Sequence, residues 1–175
     1  MKSKQPRFCY LCGGRLTWKF MNEERKLICS NCNTVTYLNS KPCVGALIID
    51  KNKLLLARRK LPPFKNYWDI PGGFLEYGEH PEAGLNREVK EELGIQIRIE
   101  ALIGIYMDEY GKNGLSTLNV FYKCTAIDQP EVRAEEIIEL KWFSVDRLPT
   151  KIAFKSARKA IKKLLEVTIS FQSND

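Results

Sequence analysis

Two groups of residues in this chain have the types and spacing that chemistry needs. Four cysteines stand as Cys9-Tyr10-Leu11-Cys12 and Cys29-Ser30-Asn31-Cys32, with sixteen residues between the pairs. Two residues between cysteines let one tight turn aim both sulfurs at a single metal, and two such pairs fill a tetrahedral shell. The spacing predicts structural Zn²⁺ on Cys9, Cys12, Cys29 and Cys32, with no position left for water. Disulfides are the competing reading. The start MKSKQPRFCYLCGG lacks an apolar leader stretch, which predicts a reducing, cytoplasmic setting and argues against them. Cys43 and Cys124, in apolar or strand-like surroundings, are expected as buried free thiols.

The second group is acidic. In Arg87-Glu88-Val89-Lys90-Glu91-Glu92, the carboxylates Glu88, Glu91 and Glu92 stand at i, i+3 and i+4. On a helix they share one surface and repel one another, near the negative end of the helix dipole. A divalent cation relieves both penalties, and an all-oxygen ligand set favours Mg²⁺ or Mn²⁺ over zinc. The turn Gly72-Gly73 can bring a backbone carbonyl to the same ion because no side chain intervenes. Arg87 can fix a carboxylate by a bidentate pair. For an arbitrary stretch of this kind, a solvated acidic face is the better reading.

The elements that must position these residues follow from punctuation and periodicity. Pro81 suits a first helical position and Gly94 a left-handed stop, so a helix is expected over 81–93 with Leu85, Val89 and Leu93 inward. Gly84 inside it implies close packing. Strands are expected at 43–50, 54–58, 95–106, 115–127 and 140–145, with a loop at 107–114 and a last helix over 152–166. Around the cysteines, 15–20 and 26–28 flank Asn22-Glu23-Glu24 as a short hairpin. The turn-rich Asn39-Ser40-Lys41-Pro42 divides the chain into a ribbon (1–40) and a catalytic domain (41–175).

Composition narrows the partners. The net charge of +7 predicts anionic ones: phosphates, nucleotides or nucleic acid. Six Lys and Arg residues between Lys151 and Lys163 account for much of the excess. No apolar run is long enough to span a membrane, so none is expected as a partner. Nucleic acid is less favoured, because the ribbon lacks dense Arg with interleaved aromatics. A homodimer is compatible with the sequence.

The stretch from Gly73 to Ile95 decides between a solvated face and a site. Gly73, five residues, Glu79, seven residues, then Arg87-Glu88-Val89-Lys90-Glu91-Glu92-Leu93-Gly94-Ile95 satisfies nine constrained positions over 23 residues. It matches the Nudix box, and the chain resembles a Nudix hydrolase preceded by a four-cysteine zinc ribbon, similar to the FAD/ADP-ribose and NADH pyrophosphatase-like group. That resemblance implies an α+β fold, an α/β/α sandwich with a mixed sheet. It implies Mg²⁺- or Mn²⁺-dependent hydrolysis of the pyrophosphate bond of a nucleoside diphosphate derivative, NDP-X, such as ADP-ribose or FAD. The alternative is a protein that binds RNA or processes RNA ends through its ribbon. Carried over by position, the Gly73 carbonyl, Glu88, Glu91 and Glu92 bind the ion. Glu79 either pairs with Arg87 or touches the metal through water. The Ser-Gln-Pro-Trp-like array of NADH enzymes is missing from Gly104 to Tyr110. The general base is Glu136, or else Glu91 or Glu92. For substrate, Arg58, Arg59 and Lys65 are candidates for phosphates, and Trp68 or Tyr106 for stacking on a base.

Overall fold

The computed structural model describes residues 5–111 and 114–172. The chain separates into two compact units, residues 1–40 and 41–175.

The first unit is a three-stranded antiparallel sheet of β1 (Leu16–Met21), β2 (Glu24–Cys29) and β3 (Val35–Thr36). Its tight turn uses Asn22 and Glu23, both at positive φ (51° and 66°), as a two-residue connection between twisted strands requires. Glu24 belongs to β2 and faces Met21, so the turn is one residue shorter than expected. Strand β3 was not legible, because two residues carry no periodicity. Its apolar core consists of Cys9, Leu16, Leu27 and Cys29. So small a core cannot by itself offset the chain entropy of the unit.

The second unit has strands β4 (Lys41–Asp50), β5 (Lys53–Arg59), β6 (Trp68–Asp69), β7 (Ile97–Tyr110), β8 (Leu115–Ala126) and β9 (Ile137–Ser144), with helices α1 (Pro81–Leu93) and α2 (Lys155–Gln172). The strand order is β6-β5-β4-β8-β7, with β9 pairing β5. β4 and β8 run parallel and the other pairs antiparallel, which makes the sheet mixed. Alternation along the central strands feeds two cores. Val44, Ala46, Ile48, Leu55 and Ala57 pack with Leu85, Val89 and Leu93 of α1. Leu47, Leu54 and Leu56 pack with Ala157, Ala160, Ile161 and Leu164 of α2. A helix thus covers each face of the sheet.

Several boundaries differ from expectation, among them the end of α2, which runs to Gln172 instead of 166. β7 continues through Tyr110, because residues 106–110 pair in register with 115–119. The expected loop shrinks to 111–114, of which Lys112 and Asn113 lie outside the described residues. β9 begins at Ile137, three residues early. α2 starts at Lys155, not Ile152, because Ile152 bridges to Trp68 in strand fashion and the Ala153 N–H donates to the Trp68 carbonyl (2.9 Å). Among the described residues, no helix is long and apolar enough to cross a membrane.

Candidate functional site

Helix α1 carries the acidic group, and its burial sets the group's direction. Leu85, Val89 and Leu93 are fully buried, which fixes the rotation of the helix and turns Glu88, Glu91 and Glu92 away from the core. His80 caps the start, its Nδ1 accepting from the Glu82 N–H, and Gly94 ends the helix at φ 68°. A Cβ at Gly84 would stand 2.3 Å from Leu75 Cδ2 and 2.8 Å from Glu79 Oε2. The cost of a helical glycine is therefore tied to the approach of the Leu75–Glu79 segment.

Arg87 organises the carboxylates. Its Nε and Nη2 donate to the two Glu79 oxygens, each at 2.9 Å, and Nη1 reaches Glu88 (2.9 Å) and Glu91 (3.2 Å). Nη2 also donates to the Phe74 carbonyl (3.1 Å). These bonds hold the Glu79 carboxyl down to about 2. Of the two roles expected for Glu79, pairing with Arg87 is the one seen here. Burial raises the Glu88 carboxyl above its ordinary value in spite of Arg87. Glu92 goes further, to about 8, through burial and the like charges of Glu88, Asp69 and Glu136, against a bond accepted from the Gly72 N–H (2.9 Å).

Gly72 and Gly73 are where the backbone comes closest. Gly72 has φ 141°, and a Cβ there would lie 2.2 Å from the Val44 carbonyl oxygen. At Gly73 a Cβ would lie 2.4 Å from Glu88 Oε2. The Gly73 carbonyl accepts from the Val44 N–H (2.9 Å) and keeps a second lone pair. A backbone oxygen and three carboxylates of raised or exposed character therefore meet at one surface, a donor set suited to a hard divalent cation.

The cleft beside this surface shows what else is brought together. Arg59, Asp69, Phe74, Tyr110, Asn119 and Phe154 line it, next to Gly72 and Gly73. Tyr110 and Phe154 stack at 5.7 Å and 15°, and Phe74 meets Tyr110 edge-on. Arg59 donates to Asp69 (2.9 Å) and lies over the Phe154 ring. An adjoining depression gathers Arg59, Asp69, Glu92 and Glu136. Glu136 thus stands with Glu92, exposed to solvent.

Other expected contacts are not brought here. Alternation on β5 sends Arg58 to the face opposite Arg59. Arg58 pairs with Glu139 (2.9 Å) and lines a separate depression with Trp68, Pro149 and Lys151. Trp68 packs edge-on against Phe143, and Tyr106 packs near Phe121 beside Gly104. The sequence alone does not mark Asp69, Phe154 and Asn119 as members of the cleft. A signal was present for two of them: a carboxylate inside Trp68-Asp69-Ile70-Pro71, and an amide inside the apolar run Leu118-Asn119-Val120. Asp69 is nearly enclosed, and burial pushes its carboxyl up to about 6 despite Arg59.

In the first unit, the four sulfurs of Cys9, Cys12, Cys29 and Cys32 lie within 4.8 Å of one another. Cys12 and Cys29 are 3.5 Å apart, and Cys9 and Cys32 are 3.7 Å apart. A tetrahedron with Zn–S arms near 2.3 Å has edges of about 3.8 Å, whereas disulfide sulfurs sit at about 2.0 Å. The N–H groups of Leu11, Gly14 and Asn31 each point at a cysteine sulfur at 3.4 Å. The donor set and its spacing fit zinc. Cys124 is a buried free thiol, and Cys43 is a half-buried one at the cleft wall.

Comparison with known proteins agrees with this geometry. The sequence is 32% identical over 118 residues to an ADP-ribose pyrophosphatase of Methanocaldococcus jannaschii, covering 67% of this chain and 69% of that protein. It is 30% identical over 168 residues to the NAD-capped RNA hydrolase NudC of Vibrio parahaemolyticus, covering 94% of this chain but 60% of the relative. A crystal structure of a NUDIX hydrolase from Nitrosomonas europaea superposes with a TM-score of 0.80 at 27% identity, over 92% of this chain and 91% of that one. The NUDIX domain family model matches residues 39–164, which takes in both faces of the sheet and the whole acidic helix. This chain belongs to the NUDIX family.

Proposed function

We propose that this chain hydrolyses the pyrophosphate bond of a nucleoside diphosphate derivative of the ADP-ribose, FAD or similar dinucleotide class, with Mg²⁺ or Mn²⁺ as cofactor. The observation that carries this reading is a cleft where Gly72, Gly73, Arg59 and the Tyr110–Phe154 stack meet, with Arg59 shared with an adjoining depression that holds Glu92 and Glu136. Gly73 through its carbonyl, Glu88, Glu91 and Glu92 are the residues that would hold the cation, with Glu79 acting through Arg87. When bound, the ion lowers the pKa of its water and neutralises phosphate charge. Glu136, beside Glu92 and open to solvent, takes the proton; the competing assignment gives that role to Glu91 or Glu92. Arg59 holds a phosphate, and the aromatic pair receives a flat ring. Arg58, Trp68 and Tyr106 then serve packing rather than substrate.

The M. jannaschii relative is named for ADP-ribose, which supports the substrate class. A dinucleotide cap on an RNA end is the second reading, favoured by an alignment with NudC that runs through the cysteine unit. We assign residues 1–40 as a ribbon with structural zinc, residues 41–175 as the catalytic domain, and the cytoplasm as the compartment. The deciding experiment is a hydrolysis panel with Mg²⁺: ADP-ribose, FAD, NADH, diadenosine polyphosphates, CoA, NAD-capped RNA and nucleoside triphosphates. Turnover of ADP-ribose or FAD to AMP, stopped by EDTA, is expected. Turnover of triphosphates alone would overturn the substrate class.

A further inference from the structure

We propose that the N-terminal unit is a docking surface for single-stranded nucleic acid, built on Trp18, Phe20 and Arg25 of the β1–β2 hairpin. The site goes beyond the proposed hydrolysis, and none of its residues belongs to the cleft. Charge is the first observation. Residues 1–40 hold seven Lys and Arg against two Glu, a net +5, so the remaining 135 residues hold only +2. The lysines of α2, prominent in the sequence, are balanced by carboxylates within their own unit. Four thiolates around zinc would reduce the ribbon to roughly +3, still basic for its size.

Register is the second observation. Trp18 pairs with Leu27 and Phe20 with Arg25. Strand alternation then places both rings on one face, about 7 Å apart along β1. The inner end of that face is the small core of Leu16 and Leu27, and beyond it the rings are open. Phe20 is 76% exposed and Trp18 40%. The Arg25 guanidinium lies 5.3 Å from the Trp18 ring centroid, and Gln5 accepts from the indole N–H (3.0 Å). The indole is thereby held in place beside a cation. Lys19 and Lys26 pair across the opposite face of the same hairpin.

Exposed rings with a neighbouring guanidinium are the parts of a base-stacking platform, where successive bases lie on aromatic faces and basic groups take the phosphates. A second copy of this unit is disfavoured as the occupant, because two such faces repel. A membrane surface is disfavoured because the strip offers ring faces and a guanidinium rather than an aliphatic wedge. The only acids of the unit, Glu23 and Glu24, sit at the hairpin turn, and Glu24 pairs with Lys26 (3.4 Å).

The test is fluorescence anisotropy of a short labelled single-stranded oligonucleotide with the full, zinc-loaded chain, at about 50 to 200 mM salt. Single strands should bind more tightly than a duplex of the same sequence. Phe20→Ala should weaken binding about 5- to 100-fold, and Arg25→Gln should reduce the salt slope by about 0.7. Zinc content should stay at one per chain in both variants, which separates loss of the platform from loss of the fold. Hydrolysis of a free nucleotide substrate should be unchanged by either substitution. Three results would each overturn the proposal: equal affinity for the duplex, unchanged affinity in Phe20→Ala, or binding to anionic vesicles in preference to the oligonucleotide. Loss of nucleotide hydrolysis in the unmodified chain would instead count against the pyrophosphatase reading.

Discussion

In the N-terminal unit four sulfurs already stand within 4.8 Å of one another, whereas in the larger unit Arg87 ties Glu88 to Glu91 and the Gly72 N–H takes Glu92, so the carboxylates rest on protein donors. Among the described residues only the cysteines converge on a point. The difference follows from what each cluster is built on. The ribbon's core is four side chains, two of them cysteines, so half of its metal ligands are also half of its core. The carboxylates ride on a helix anchored by Leu85, Val89 and Leu93 in an independent core. That helix needs no ion to fold, and its carboxylates rest on protein donors. Removing metal should therefore unfold one unit and only silence the other.

The largest effect is expected at zinc. Structural zinc contributes about 10 kcal/mol or more to the folding of small sites. Cys29→Ser, which removes a fully buried ligand, should abolish zinc binding and the amide protection of β1 and β2, while hydrolysis continues. Hydrogen exchange with metal analysis checks this, and a protected ribbon without zinc would contradict it. At the other cluster, Glu91→Gln should leave the melting temperature unchanged or higher and lower turnover by about 10³-fold. Near-full activity at limiting Mg²⁺ would remove Glu91 from the ion's shell.

Glu136→Gln should cost about 10²- to 10⁴-fold in turnover if it takes the proton. Mg²⁺ affinity should be retained and activity partly recovered at high pH. A fully active variant would return the base to the box. A subtler difference lies in pH. The folded chain keeps the Glu92 proton to about 8, while the unfolded chain loses it near 4.5. Between those values the native state binds more protons, so stability in EDTA should fall as pH rises. Mg²⁺ stabilises the deprotonated form, so its addition should raise the melting temperature more at about pH 8 than at about pH 5.5. An equal or smaller shift at the higher pH would show that Glu92 does not meet the ion. The smallest effect separates two adjacent residues. Arg59→Lys should raise KM about tenfold by losing the fork that reaches phosphate, and Arg58→Lys should leave KM within about twofold.

The acidic helix was legible because its signals agree. Pro81, the stripe of Leu85, Val89 and Leu93, and Gly94 each mark a different part of α1, and the structure ends the helix at the expected residues. The cysteine cluster was legible because two short turns dictate it. Partners set by long-range pairing were not. Nothing local shows that Arg58 meets Glu139, or that Arg59 meets Asp69 and Phe154. The sequence ends β7 at Tyr106, because Asp108 and Glu109 look like loop residues. Their strand conformation depends on pairing with Thr117 and Ser116. Trp68 and Tyr106 stand out in the sequence only as aromatic rings, and sequence gives no measure of whether a ring faces a cleft or a core.

The Asp108 carboxylate accepts from the Ser156 N–H at 2.6 Å, across 48 residues of sequence. Tyr110 lies two residues after that acceptor, and Phe154 two residues before that donor. The segments that carry the two rings of the cleft are thus pinned together between a strand end and a helix start. The pin acts as a caliper: it sets the gap into which a flat ring must slide. Its loss would widen the jaws and free the Phe154 ring on which the Arg59 guanidinium rests.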